Sequence, residues 1–93
     1  MRCIDLKQFD LRLTVEPNGR LMSDMVGLFN KYNSKILVTK DGINRNVDGK
    51  SLCGLYSLDI HSFEKIHISL LGSFENNDCI DLQDQLKFLM LKY

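Results

Sequence analysis

The sequence predicts an α+β fold in which three helices cover one face of a four-stranded antiparallel sheet. Four segments alternate apolar and polar residues or are short apolar runs, as strands do, and three segments repeat apolar residues every three or four positions, as helices do. Along the chain these segments follow the order β-α-β-β-α-β-α. Short strands combined with helices that are apolar on one stripe predict an open sheet covered on one side.

The first strand and the first helix are separated by a strong turn signal, Pro17-Asn18-Gly19. Before the turn, apolar side chains alternate with polar ones, which predicts a half-buried strand. The apolar residues are Phe9, Leu11, Leu13 and Val15, and the polar ones are Asp10, Arg12 and Thr14. After the turn, one apolar stripe predicts a helix, and Asp24 suits the positive end of its dipole. The stripe contains Leu21, Met22, Met25, Val26, Phe29 and Tyr32.

The middle of the chain predicts a hairpin followed by a short helix. Residues 35–39 form a second strand, Asp41-Gly42 supplies a tight turn, and residues 43–47 return as a weaker third strand. The sequence Asp48-Gly49-Lys50 ends that strand. Ser51 is a good N-cap for a helix over residues 52–58.

The last part of the chain predicts a fourth strand and a terminal helix. Ile66, Ile68 and Leu70 alternate with polar residues, and Gly72 closes the strand. The helix then presents one apolar stripe, with Asn77 or Asp78 as its cap. The stripe contains Ile80, Leu82, Leu86, Leu89, Met90 and Tyr93. Acidic residues early in this helix and lysines late in it suit the helix dipole.

Length and composition predict one domain over residues 1–93 and exclude several partner classes. Apolar residues make up 44% and charged residues 26%, which is typical of a globular chain. Twelve basic residues balance twelve acidic ones, so the basic surface of a nucleic-acid or membrane-surface binder is not expected. The first residues do not form the apolar run of a signal peptide, and no run approaches the length of a membrane span.

The cysteines indicate a cytoplasmic protein. Cys3, Cys53 and Cys79 are odd in number and far apart in the sequence, and no CxxC pair occurs. This pattern is typical of reduced thiols in a cytosol. Cys53, in the short helix, is predicted to be a small packing residue rather than a reactive thiolate.

No motif predicts a cofactor, a metal site or catalysis. Gly49-Lys50-Ser51 imitates the end of a P-loop, but Asn44 stands where that motif needs its first glycine. His61 and His67 are the only histidines and lack the neighbouring ligands of a zinc site. No serine or cysteine lies in a recognisable triad motif, so we expect a binding protein rather than an enzyme.

Two hypotheses for the role of Ser51 are compatible with the spacing of residues around it. In the first, Ser51 is a plain helix cap. In the second, a phosphoryl group on Ser51 meets the free N–H groups and the positive dipole end of the helix, and Lys50 adds a positive charge.

The segment over residues 47–58, Val-Asp-Gly-Lys-Ser-Leu-Cys-Gly-Leu-Tyr-Ser-Leu, closely resembles the regulatory-serine segment of HPr proteins, the phosphocarriers of the sugar phosphotransferase system. In HPr proteins a Lys-Ser pair opens a short helix that continues Ile/Leu-Met-Gly-Val/Leu-Met-Ser/Thr-Leu. The resemblance implies an HPr-like open-faced sandwich over nearly the whole chain. It also implies that Ser51 is a regulatory phosphorylation site and that a partner binds at Lys50, Leu52, Cys53 and Tyr56.

The chain departs from the family at the active-site motif. HPr proteins have Gly-Leu-His-Ala/Thr-Arg-Pro-Ala, whereas residues 19–25 of this chain are Gly-Arg-Leu-Met-Ser-Asp-Met. With a one-residue uncertainty the histidine position is Arg20 or Leu21, and the strand phase favours Arg20. On this alignment the arginine and the proline of the motif are also replaced.

The resemblance therefore implies a regulatory HPr-like protein that is not competent as a histidine phosphocarrier. The Crh branch of the family is a precedent, since it lacks the histidine and retains the serine. The implied partners are an HPr-kinase-type enzyme or a transcriptional or metabolic regulator. Two alternatives remain: a phosphocarrier that uses another acceptor, such as His61, and a structural or assembly module with the HPr fold only.

Overall fold

A computed structural model of the chain describes residues 6–72 and 78–93. The described elements follow the predicted order β-α-β-β-α-β-α. They are β1 (Leu6–Arg12), α1 (Gly19–Phe29), β2 (Lys35–Lys40), β3 (Val47–Asp48), α2 (Leu52–Ser57), β4 (Lys65–Leu71) and α3 (Asp78–Leu91). None of the helices in these two ranges is long and apolar enough to cross a membrane.

The four strands form one antiparallel sheet in the order β1-β4-β2-β3. Strand β4 is central and pairs with β1 along its whole length, from Leu6 opposite Leu71 to Arg12 opposite Lys65. On its other side β4 pairs with β2. The predicted open sheet with three helices is confirmed.

The alternation along the strands divides the sheet into a buried face and an open one. Ile66, Ile68 and Leu70 of β4 are fully buried, whereas His67 between them lies on the open face. The helices complete the core from the buried side. They contribute Leu21, Met22, Met25, Leu28 and Phe29 from α1, Leu55 from α2, and Leu82, Leu86 and Met90 from α3.

Two strands have other bounds than the sequence predicts: β1 is shifted towards the N-terminus, and β3 is shorter. Strand β1 ends at Arg12, because Leu13 bonds instead to the loop before β4, donating to the Glu64 carbonyl at 3.0 Å and accepting from the Phe63 N–H at 2.7 Å. Strand β3 contains only Val47 and Asp48.

The turn after β2 explains why β3 begins so late. Gly42 has φ of +85°, and the Ile43 N–H donates to the Lys40 carbonyl at 3.1 Å, so the tight turn at Asp41-Gly42 is present. Residues 44–46 are exposed and do not pair with β2. At the start of the terminal helix, Asp78 is the first helical residue, and Asn77 lies outside the described residues.

Candidate functional site

Ser51 caps the short helix α2, as predicted. Its backbone is extended (φ −113°, ψ 119°), and its hydroxyl oxygen accepts a hydrogen bond from the Gly54 N–H at 3.1 Å. The Ser51 carbonyl accepts the first helical bond from Leu55 at 3.1 Å. The residue is half-buried. Its hydroxyl therefore lies among the free N–H groups of the first turn of α2.

The turn before Ser51 packs closely against strand β2 at Gly49. A larger residue at this position would force the neighbouring atoms of β2 to move. A Cβ on Gly49 would lie 2.9 Å from the Ile36 side chain, and the Gly49 N–H donates to the Ile36 carbonyl at 2.8 Å. Ser51 in turn donates its N–H to the Asp48 carbonyl at 3.0 Å. The position of Ser51 is thus fixed by the sheet.

Lys50 does not direct its charge towards Ser51. Its ammonium donates to the carbonyl oxygen of Tyr32, just beyond the end of α1, at 2.6 Å, and the residue is half-buried. A cation at a helix C-terminus compensates the negative dipole end. In this arrangement Lys50 ties α2 to the end of α1.

The outer side of α2 is apolar and exposed. Leu52 is 37% exposed, Tyr56 is 52% exposed, and Cys53 lies beside them on the surface. The prediction that Cys53 is a packing residue is therefore wrong, because it lies on the side of α2 that faces away from the core. Leu55, on the opposite side of the helix, is fully buried. Three of the four residues that the family resemblance suggested for partner binding therefore share one accessible face. The fourth, Lys50, is half-buried and binds the Tyr32 carbonyl instead.

The two residues suggested for the histidine position, at the start of α1, differ in burial. Arg20 is exposed, whereas Leu21 is fully buried in the core. The helix is capped by Asn18, whose side-chain oxygen accepts from the Leu21 N–H at 2.8 Å. The Met22 N–H donates to the Asn18 carbonyl at 3.0 Å.

Sequence reasoning placed Asn18 only in a turn and missed its role as a cap. The available signal was its residue type, because asparagine directly before an apolar helical stripe is among the strongest N-caps. Gly19, the first residue of α1, was missed for a different reason. A Cβ there would lie 2.7 Å from the hydroxyl oxygen of Tyr56, which comes from a distant part of the sequence.

The close approach of the Tyr56 side chain to Gly19 brings α2 and the start of α1 together in one surface. We define this surface, the α1–α2 surface, as Gly19, Arg20, Leu52, Cys53 and Tyr56. It combines one cation, Arg20, with an apolar patch that begins at Leu52, the residue directly after the helix cap Ser51.

His61 lies in the loop between α2 and β4 with a carboxylate at each ring nitrogen. Nδ1 is 3.1 Å from Glu16 and Nε2 is 3.2 Å from Asp59. The hydrogen bond with Glu16, and then that with Asp59, raise the pKa of His61. The hydrogen bond from the Ser62 N–H, and then that with His61, lower the pKa of Glu16. This environment favours the imidazolium, which has no lone pair to attack phosphorus.

His67 is enclosed in the same way on the open face of the sheet. Its Nδ1 is 2.6 Å from Asp10 and its Nε2 is 2.6 Å from Asp41. The hydrogen bond with Asp10 is the largest cause of a raised pKa of His67, followed by that with Asp41. Within the described ranges, no group of three His, Cys, Asp or Glu side chains could hold a metal ion.

Comparison with known proteins identifies the family. The family described as "PTS HPr component phosphorylation site" matches residues 7–87. Comparison with curated proteins by sequence found no match.

Solved structures give the same fold. HPr-C-His from Thermoanaerobacter tengcongensis is 22% identical with a TM-score of 0.75, over 96% of this chain and 98% of that one. The phosphocarrier protein HPr from Bacillus anthracis is 25% identical with a TM-score of 0.67, over 95% and 98%. Crh from Bacillus subtilis is 22% identical with a TM-score of 0.56, over 88% and 87%. With the family match over most of its length, the chain belongs to the HPr family of phosphotransferase-system phosphocarriers.

Proposed function

We propose that this protein is a Crh-like regulatory member of the HPr family, which binds a protein partner through the α1–α2 surface and is switched by phosphorylation of Ser51. The modifying enzyme is of the HPr-kinase type. The partner is that kinase or a transcriptional or metabolic regulator in the cytoplasm. The chain is one domain, works without a cofactor and does not carry a phosphoryl group on histidine.

One observation carries this proposal: the hydroxyl of Ser51 caps a helix whose outer side exposes Leu52, Cys53 and Tyr56. A phosphoryl group on that oxygen adds a charge of about −1.5 to −2 directly beside an apolar face. Such a change recruits a partner that brings an arginine and repels one that prefers the apolar face. Lys50 compensates little of this charge while its ammonium binds the Tyr32 carbonyl.

The helix geometry of α1 suggests where the histidine of the family has been lost. In the family motif His-Ala/Thr-Arg-Pro, the proline follows the histidine by three residues. Proline has no N–H to donate, so a helix tolerates it only in the first turn. A histidine at Arg20 or Leu21 would place the proline at Ser23 or Asp24, beyond the first turn of α1.

An alignment with the proline at Leu21 satisfies this constraint. The Leu21 N–H bonds only to the Asn18 side chain, so its loss spares the helical backbone bonds. The alignment places the motif arginine at Arg20 and the histidine at Asn18. We therefore infer that Asn18 replaces the phosphorylatable histidine and that Arg20 retains the arginine. The amide nitrogen of Asn18 cannot accept a phosphoryl group, because its lone pair is delocalised into the carbonyl.

Modification by a purified HPr-kinase-type enzyme with ATP tests the proposed switch. Intact-mass and peptide mass spectrometry should show one phosphoryl group, at Ser51, and none in Ser51→Ala. Ser57 provides a matched control, because it lies exposed on the same helix and its hydroxyl donates to the Gly54 carbonyl at 2.6 Å. Ser57→Ala should be modified like the wild type. Modification elsewhere, or none, would reduce Ser51 to a helix cap.

A further inference from the structure

Helix α3 carries large apolar side chains on two opposite sides. Leu82, Leu86 and Met90 are buried against the sheet. On the outer side, Ile80 is 61% exposed, Phe88 is 66% exposed and Leu91 is 82% exposed. A helix that covers a core usually has one apolar stripe and a polar outer face. The outer side of α3 therefore exposes large apolar side chains, among charged ones, that no described element covers.

Four residues on the outer side of α3 have the three- and four-residue spacing found along the contact line of two packed helices. Ile80, Asp84, Lys87 and Leu91 are four, three and four residues apart, so they line one face of α3. We call these four residues the α3 seam. It is apolar at both ends and charged in the middle. Phe88 lies beside the seam, on the side that faces α1, where it borders a groove with Gly27.

The order of residues along the seam is self-complementary. When a second copy of α3 lies antiparallel, with a two-fold axis between residues 85 and 86, Ile80 faces Leu91 of the second copy. Asp84 then faces Lys87 of the second copy. Each contact occurs twice, as a two-fold interface requires. Antiparallel packing also places the positive end of each helix dipole beside the negative end of the other.

The two charges in the middle of the seam have no charged partner in the part of the chain that the structure describes. Among residues 6–72 and 78–93, neither Asp84 nor Lys87 forms an ion pair or a side-chain hydrogen bond. The neighbouring Asp81 differs, because it accepts a hydrogen bond from the Tyr32 hydroxyl at 2.6 Å. Charge complementarity thus favours a second copy of the chain as the occupant of this face.

We propose that α3 pairs antiparallel with α3 of a second copy to form a homodimer. A helix of 14 residues is about 21 Å long, and one such contact buries less than the ~800 Å² per partner of a standard interface. The dimer is therefore expected to be weak and to form only at high protein concentration. This interface is independent of Ser51 and of the α1–α2 surface.

Sedimentation equilibrium at low salt tests the proposal with a charge swap. The wild-type protein should be monomeric at about 10 µM and substantially dimeric at about 1 mM. Asp84→Lys and Lys87→Asp each place like charges opposite one another twice, and each should weaken association by about tenfold or more. The double variant Asp84→Lys/Lys87→Asp restores both pairs and should recover wild-type association.

Lys35→Asp, a charge reversal on the exposed part of β2, is the matched control and should leave association unchanged. Circular dichroism of each variant shows that the fold is intact, and the double variant keeps the test valid if one single variant is unstable. A wild-type protein that stays monomeric at about 1 mM would overturn the proposal. The proposal would also be overturned if Asp84→Lys dimerised as strongly as the wild type, or if the double variant did not recover wild-type association.

Discussion

Helices α1 and α2 begin in the same way but with different chemistry. Asn18 and Ser51 each have an extended backbone, and each side-chain oxygen accepts the N–H of the residue three positions on. The amide of Asn18 can only cap, whereas the hydroxyl of Ser51 can cap and can also accept a phosphoryl group. On the proposed alignment, the start of α1 has lost the phosphoryl acceptor of the family, whereas the start of α2 keeps one.

The largest expected effect concerns phosphorylation at the start of α1, which should be absent altogether. Incubation with phosphoenolpyruvate and enzyme I should leave this protein without label, because Asn18 is no acceptor and both ring nitrogens of His61 face carboxylates. A histidine-containing HPr in the same mixture is the positive control. An acid-labile phosphate on this protein, particularly one abolished by His61→Ala, would establish the alternative of a phosphocarrier with a different acceptor.

The next largest effect is a difference in stability between variants of two neighbouring residues at the start of α1, Leu21 and Arg20. Leu21→Ala should lower the free energy of unfolding by about 2–5 kcal/mol, because it opens a cavity in the core. Arg20→Ala removes an exposed side chain and should change it by less than about 0.5 kcal/mol. Urea denaturation followed by circular dichroism measures both. Similar losses in the two variants would contradict the assignment of Leu21 to the core and Arg20 to the surface.

The caps themselves should have nearly equal effects on stability. Asn18→Ala and Ser51→Ala each remove one hydrogen bond to a helical N–H and should each cost about 1 kcal/mol. Ser51→Asp should be close to neutral, since aspartate also caps well. The same denaturation measurements check these values. A cost near zero for Ser51→Ala would show that its hydroxyl does not cap the helix in solution.

The smallest expected effect is a pH dependence of stability at His61, whose partner Glu16 lies just before α1. His61 holds Glu16, which lies two residues before Asn18, and its raised pKa contributes stability that is fully present below about pH 6.5. That contribution is lost as the pH rises through the raised pKa. Glu16, with its lowered pKa, contributes stability above its ordinary value that is lost as the pH falls through the lowered one.

His61→Gln should therefore flatten the decline in melting temperature between about pH 6 and pH 8. His67→Gln is the matched control, because its two carboxylates lie on the open sheet face, and the part of the decline that belongs to His61 should remain in it. A profile in His61→Gln identical to that of the wild type would show that the His61–Glu16 contact has no influence on folding.

The fold was largely predictable from the sequence, because alternation and apolar stripes report burial directly. The strand over Ile66, Ile68 and Leu70 and the stripe of α1 were found for that reason. The extent of β3 was not, since residues 44–46 offer β-compatible spacing but lack the pairing with β2 that only the tertiary structure reveals.

The site was less predictable, because its contacts join residues far apart in the sequence. Nothing in the local pattern indicates that the Lys50 ammonium binds the Tyr32 carbonyl, or that the Tyr56 hydroxyl reaches Gly19. A long flexible side chain can reach many acceptors, and its choice depends on the packing of α1 against α2. The capping role of Ser51, in contrast, depends on a residue type and its immediate neighbours, and it was predicted correctly.

The central claim is that Ser51 is a binding switch and not only a cap. Its most direct test measures two quantities on the same samples, unmodified protein and protein phosphorylated at Ser51: the affinity for the HPr-kinase-type enzyme and the melting temperature. We expect the affinity to change by about tenfold or more, while the melting temperature moves by only a few degrees. Equal affinities for the two forms would contradict the claim and leave Ser51 as a helix cap.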